Sequence, residues 1–217
     1  GSANTHNFNV VGTAPTFNGT NFSMEFDGAT TGMTTPNHSE INLTLVDQRN
    51  ITVAFKSSGD ISSRQVLYEE GGNVRGMNVY IYNGQIYCGF YNTVSGDGDG
   101  VQNFTWVNAP ISTNTVYFVT WVFDYTNYTS PSGPDGDLTC YMNGSSIGSV
   151  PTTSRLFGHS GAVGLGRINS QSCFEDGSCP SNGSFFLGNI FEVMLFNNAP
   201  DATDVDNVHT YLSNKWN

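Results

Sequence analysis

The dipeptide Asn83-Gly84 divides two runs of alternating residues, Met77–Tyr82 and Gln85–Tyr91, and this leaves the chain few choices. A two-residue hairpin turn of type I′ needs positive φ at both central positions, which Asn and Gly tolerate best. Placing that turn at 83–84 sets Ile81 opposite Ile86, Val79 opposite Cys88 and Met77 opposite Phe90. All six are apolar and fall on one face, and a slip of one residue would turn them all to the other side. The opposite face carries Asn78, Tyr80, Tyr82, Gln85, Tyr87 and Tyr91, with Tyr80 and Tyr87 as direct cross-strand neighbours.

The device recurs at Asn143-Gly144, where Leu138–Met142 turns back through Ile147, expected opposite Cys140. Further strands are predicted at Phe22–Phe26, Ile51–Lys56, Val66–Glu69, Ala162–Leu165 and Phe185–Phe196. Val116–Asp124 is too continuously apolar to keep a solvent face along its length. Only the end of the chain reads as a helix: Asp201 is placed to cap it, Asp204 lies in the first turn, and Val205, Val208 and Leu212 recur at helical spacing. About a dozen strands with one terminal helix predict an all-β, two-sheet antiparallel jelly-roll sandwich with one short C-terminal helix. Residues 1–15 read as a linker or a peripheral first strand, and 16–217 as a single domain.

Composition narrows the setting. Charged residues make up 12% of the 217, and seven Lys and Arg stand against eighteen Asp and Glu, a net charge of −11. Such a surface repels nucleic acid and anionic membranes. No apolar run is long enough to insert in a bilayer. Cys173 and Cys179 bracket a short polar loop suited to a local disulfide, and no C-x-x-C pair supports zinc. Cys88 and Cys140 both fall on core-facing positions, either bridged or buried as free thiols. The N-glycosylation pattern Asn-x-Ser/Thr occurs at Asn18, Asn21, Asn37, Asn42, Asn50, Asn103, Asn127, Asn143 and Asn182. Together these features predict an extracellular, cell-surface or virion-surface location within a larger surface protein.

The order of segments resembles a known family. Ser23-Met-Glu-Phe-Asp-Gly28 is similar to the strand that opens laminin-G-like and concanavalin A-like domains, and Ile51-Thr-Val-Ala-Phe55 to their next core strand. The Asn83-Gly84 hairpin and Leu138-Thr-Cys-Tyr-Met-Asn-Gly144 resemble later elements, and Phe186–Asn197 carries the most specific match. The tail Tyr211-Leu-Ser-Asn-Lys-Trp216 is similar to the closing helix of bacterial and viral members. The resemblance implies a jelly roll that binds glycans or proteins, often with Ca²⁺, and gives Glu192 a structural role.

Candidate sites follow from residue types. Sugars stack on aromatic faces while amides and hydroxyls reach their hydroxyl groups. The tyrosine face, with Tyr80, Tyr82, Tyr87, Tyr91 and Asn78, is therefore a candidate glycan platform unless a strand or loop covers it. Asn73 and Arg75 cluster with Glu69 and Glu70 at the mouth of the hairpin, and Glu175 and Asp176 form another candidate rim. Trp106, in a polar stretch read as a loop, is a candidate stacking residue, whereas Trp121 is expected in the core and Trp216 against the helix. Asp97 and Asp99, and likewise Asp135 and Asp137, alternate with Gly or follow Pro in loops that either hold Ca²⁺ or are solvated turns. Catalysis is not expected: no strand carries the alternating carboxylates of sandwich glycosidases, and adjacent Glu69 and Glu70 point to opposite faces. The expected function is non-catalytic, lectin-like adhesion to a glycan or glycoprotein surface. A structural or protein-binding role in an adhesin or viral surface protein is the alternative, and a polysaccharide hydrolase or lyase a remote one.

Overall fold

The computed structural model describes residues 7–93, 103–126, 136–152 and 154–216. Two antiparallel seven-stranded sheets pack face to face, as alternating runs with one apolar side require. One sheet contains β1 (Asn9–Gly12), β4 (Thr31–Thr35), β13 (Val163–Leu165), β6 (Gln65–Gly71), β7 (Arg75–Tyr82), β8 (Gln85–Asn92) and β9 (Asn103–Pro110), in that order. The other runs β12 (Ser145–Thr152), β11 (Gly136–Met142), β10 (Val116–Asp124), β5 (Gln48–Ser57), β14 (Leu187–Phe196), β3 (Ser23–Asp27) and β2 (Thr16–Asn18).

The β7–β8 register is the expected one: Ile81 faces Ile86, Val79 faces Cys88 and Met77 faces Phe90. Asn83 and Gly84 take φ of 48° and 73°. In the second hairpin the expectation needs correction. Cys140 pairs with Gly148 and Tyr141 with Ser146, so Ile147 sits in a bulge and faces no residue directly. Three strands carry no strong apolar pattern and were not expected: the short β2, β4, rich in Thr and Gly, and β9, which places Trp106 on a strand rather than in a loop. The stretch 1–15 contributes β1, an edge strand paired with β4.

The sheets enclose a core in which Trp121, Phe55, Phe123 and Leu138 are fully buried. Two polar ties cross it. The Trp121 indole donates to the Gly89 carbonyl at 3.1 Å, and Arg49 of β5 pairs with Glu70 of β6, both inaccessible to water. Asn197 accepts from Arg49 Nε and Tyr68 donates to Glu70. Both cysteine pairs are bridged, and Cys88–Cys140 joins β8 to β11 across the sandwich. Closing a loop of this size removes about 4 kcal/mol of unfolded-chain entropy in the simple chain model.

Helix α1 (Ala202–Trp216) lies on the outer face of the second sheet, where Leu212 buries against Ala54 and Phe118 with Val208 and Trp216 beside it, and Val205 is buried as well. Asp201 caps it, accepting from the Asp204 amide at 2.9 Å. His209, also buried, accepts from Gly144 N–H through Nδ1 at 2.6 Å and lies 2.7 Å from the Thr120 hydroxyl through Nε2, which continues to Thr52. With Nδ1 an acceptor, the ring is neutral. Burial lowers its pKa to about 4, outweighing the attraction of Asp206.

Two measurements check these ties. Glu70→Leu alone should cost about 3–5 kcal/mol by leaving Arg49 buried without its counter-charge, while Glu70→Leu with Arg49→Met should recover most of it, read by denaturant unfolding. The unfolded chain protonates His209 near its ordinary pKa, before the folded chain does. The contribution of this residue should therefore be present above its ordinary pKa of 6.5 and be lost as pH falls from there to about 4, by on the order of 3 kcal/mol. His209→Gln should remove that portion of the pH dependence.

Candidate functional site

The outer face of the first sheet is organised in cross-strand rows. Tyr82, Gln85 and Pro110 form one; Tyr80, Tyr87 and Asn108 the next; Asn78, Gly89 and Trp106 a third; and Gly76, Tyr91 and Phe104 the last. The tyrosines share this face, as their alternation requires, yet they do not meet solvent. Tyr80 and Tyr91 are 1% exposed, Tyr87 7%, and Asn78 is fully buried. Only Tyr82 is half-buried. The open tyrosine platform is therefore corrected: the segment around the Cys173–Cys179 disulfide covers it.

That cover is held by specific contacts. Asn78 donates to the Ser172 hydroxyl at 2.9 Å and to the Cys173 carbonyl at 2.8 Å, and the Tyr80 hydroxyl donates to Glu175 at 2.5 Å. Tyr91 donates to the Gln171 carbonyl of the covering segment at 3.3 Å. Phe174 sets its ring edge against Tyr80, which itself stacks on Tyr87 with centroids 4.8 Å apart. Arg64 spans the arrangement, over the rings of Tyr82 and Phe174 and paired with Glu175 and Asp176. Burial first, and then the bonded Glu175 carboxylate, hold the Tyr80 hydroxyl far above its usual pKa.

The cover stops short of the sheet edge. On β9, Thr105 and Val107 turn inward, while Phe104 and Trp106 project outward, each 38% exposed. Between this aromatic pair and the cover lies only a narrow cleft of about 10 Å³, room for one water, bordered by Tyr80, Gly89, Phe174 and Glu175. Asn78 Oδ1 fills the place a side chain at Gly89 would take, so a methyl there would collide with it. That oxygen is enclosed and has no hydrogen-bond partner. Asn108 extends the outward row and donates to Gln85 at 2.5 Å. Phe104 was missed because Asn103–Pro110 shows only a short, weak alternation; the signal available was Phe-x-Trp-x-Asn on one side and Thr-x-Val-x-Ala on the other.

The remaining candidates are dispersed. Asn73 is exposed in the β6–β7 turn, and Arg75 lies over the Phe157 ring at 5.0 Å. Glu69 is buried; one oxygen accepts from the Asn169 amide at 2.8 Å, and burial pushes its pKa well up. Glu192 accepts from Lys215 and Trp216, fastening the helix. Asp97, Asp99 and Asp135 lie outside the described residues. Asp137 is exposed on β11 opposite Asp124. No cluster of three or more metal-ligating side chains occurs among the described residues.

Of the glycosylation candidates, Asn37, Asn143 and Asn182 are exposed and Asn18 and Asn21 half-buried. Asn42 and Asn50 are buried, their amide nitrogens donating to Asn37 and to Asn198, so the folded chain does not offer them for modification. Asn127 and the side chain of Asn103 lie outside the described residues.

No family model matches the sequence, and no curated protein matches it. Solved structures share the fold. The binding domain of botulinum neurotoxin serotype G superposes with a TM-score of 0.68 at 13% identity, covering 96% of this chain and 47% of that one. The binding domain of botulinum neurotoxin DC, in complex with SialylT, gives 0.66 at 11% identity over 95% and 46%. Botulinum neurotoxin type C, whose cell entry is described as dependent upon interaction with two ganglioside molecules, gives 0.67 at 11% identity over 95% and 46%. The chain thus spans just under half the length of these binding domains, and at such identities the likeness defines the fold: a two-sheet β-sandwich of the kind found in toxin receptor-binding domains.

If Arg64 anchors the cover, Arg64→Ala should speed amide hydrogen exchange across residues 172–178 by tenfold or more while β7 and β8 stay protected. Equal protection in the variant would place the anchor elsewhere.

Proposed function

We propose that this chain is a non-catalytic, carbohydrate-binding adhesion module that acts outside the cell, and that its site is the groove between β9 and the disulfide-closed cover. One observation carries the reading. Trp106 and Phe104 stand two residues apart on the outer face of an edge strand, both exposed, beside a narrow cleft that Phe174 and Glu175 of the cover border. Large aromatic rings at a water-exposed edge offer a flat apolar surface to sugar C–H groups, and fixed polar atoms beside them supply direction. The rigid cover organises the groove before the ligand arrives, so little ordering is left to oppose binding.

Support comes from several directions. The structural neighbours are receptor-binding domains, two of them described with SialylT or ganglioside molecules. The resemblance to laminin-G-like and concanavalin A-like domains points the same way. Two disulfides suit an oxidising compartment, and no helix among the described residues is long and apolar enough to cross a membrane. Glu69, Glu70 and Glu192 each have a structural partner, which fits a binder better than a hydrolase.

A protein-binding role is the second reading. Its observation is the pair Phe17 and Phe22 near the β2–β3 edge, 60% and 64% exposed with ring centroids 6.3 Å apart. A related neighbour is described in complex with rat synaptotagmin II.

Glycan-array screening followed by calorimetry separates the two. Trp106→Ala should weaken the best glycan by about 10- to 100-fold without moving the melting temperature. Undiminished binding would relocate the site, and an array with no hits would favour the protein-binding reading. Repeating the titration with a chelator tests the Ca²⁺ assistance suggested by Asp97, Asp99, Asp135 and Asp137.

A further inference from the structure

Resting on that reading of the groove, we infer that its ligand is an uncharged saccharide whose hydroxyls donate to protein oxygens, and that sugars bearing a carboxylate are rejected. The argument begins with the positions of all seven basic residues. Arg49 is sealed in the core against Glu70, Arg155 is paired with Asp47, and Lys215 with Glu192. Arg75 lies over Phe157 and Arg167 over Phe185, the latter also donating to the Ile168 carbonyl. Lys56 belongs to β5 in the opposite sheet. Only Arg64 approaches the groove, and it is held between Glu175 and Asp176, so the three together carry a net charge of −1.

The uncharged groups lean the same way. Asn108, exposed on the same outward row as Trp106, donates one amide hydrogen to Gln85 and carries an acceptor oxygen of its own. Glu175 adds a carboxylate at the border. Every side-chain donor bordering the groove other than Arg64 is neutral. A sugar carboxylate entering here would lose water, meet acceptors and an anion, and find no free guanidinium to chelate it. Hydroxyl groups of a neutral sugar meet the partners they need. The net charge of −11 adds a longer-range repulsion of anionic chains.

The experiment uses the whole chain and paired probes: neutral oligosaccharides ending in galactose, glucose or mannose, and the same chains capped with sialic acid. The neutral member of a pair should bind at least about tenfold more tightly, with the gap narrowing as salt rises and both signals lost in Trp106→Ala. Tighter, Trp106-dependent binding of the sialylated members would overturn this inference and leave the glycan reading standing. Failure of every probe with a folded protein would overturn that reading itself, and this inference with it.

Discussion

A strand that is apolar on both faces has no side to give to water, and this constraint organises the whole molecule. β7 and β8 bury Met77, Val79, Ile86 and Phe90 inward, yet their outward tyrosines need cover as well. On the other sheet, Ala54 and Phe118 pose the same demand from β5 and β10. The fold answers with two lids: the disulfide-closed segment on one sheet and helix α1 on the other. Each is fastened by polar contacts that work in one orientation only, Arg64 and Asn78 for the first, His209 and Glu192 for the second. The apolar area fixes that a cover exists, and the directional bonds fix where it stops.

Where the first cover stops matters most for function. It ends one strand short of the sheet edge, so β9 keeps an exposed outer row while its inner row joins the core. An edge strand with large rings on its surface would ordinarily invite association with other chains. Here the rings stand beside Glu175 of the cover, so apolar and acidic surface meet at this edge.

Much of this was legible in the sequence. Asn83-Gly84 and the flanking alternation set the β7–β8 register to the residue, because a two-residue turn and a two-sided pattern leave one solution. The terminal helix showed through Asp201 and the spacing of Val205, Val208 and Leu212, and the Cys173–Cys179 pair through its short spacing, whereas Cys88 and Cys140 showed only as core-facing positions that fit a bridge or two free thiols. What escaped was non-local. Nothing in residues 169–186 announces which surface that segment will cover, since Arg64, Asn78 and Tyr80 meet it from about 90 to 115 positions away in the chain. β9 escaped for a different reason: its outward row is itself aromatic, which blurs the polar–apolar alternation that marks a half-buried strand. The bulge at Ile147 was hidden because a Gly-bearing turn permits more than one return path.

The Cys88–Cys140 bridge has a consequence for how the two layers carry load. A pull applied at β9 passes through the ladder of hydrogen bonds to β8, the neighbouring strand. From there the covalent bridge leads into β11, and the indole of Trp121, bonded to Gly89, leads into β10. Tension therefore reaches the far sheet without loading the apolar interface in between, which resists compression far better than separation. Under traction the two layers cannot be peeled apart at this end, and the weak points lie in the peripheral strands that no bridge secures.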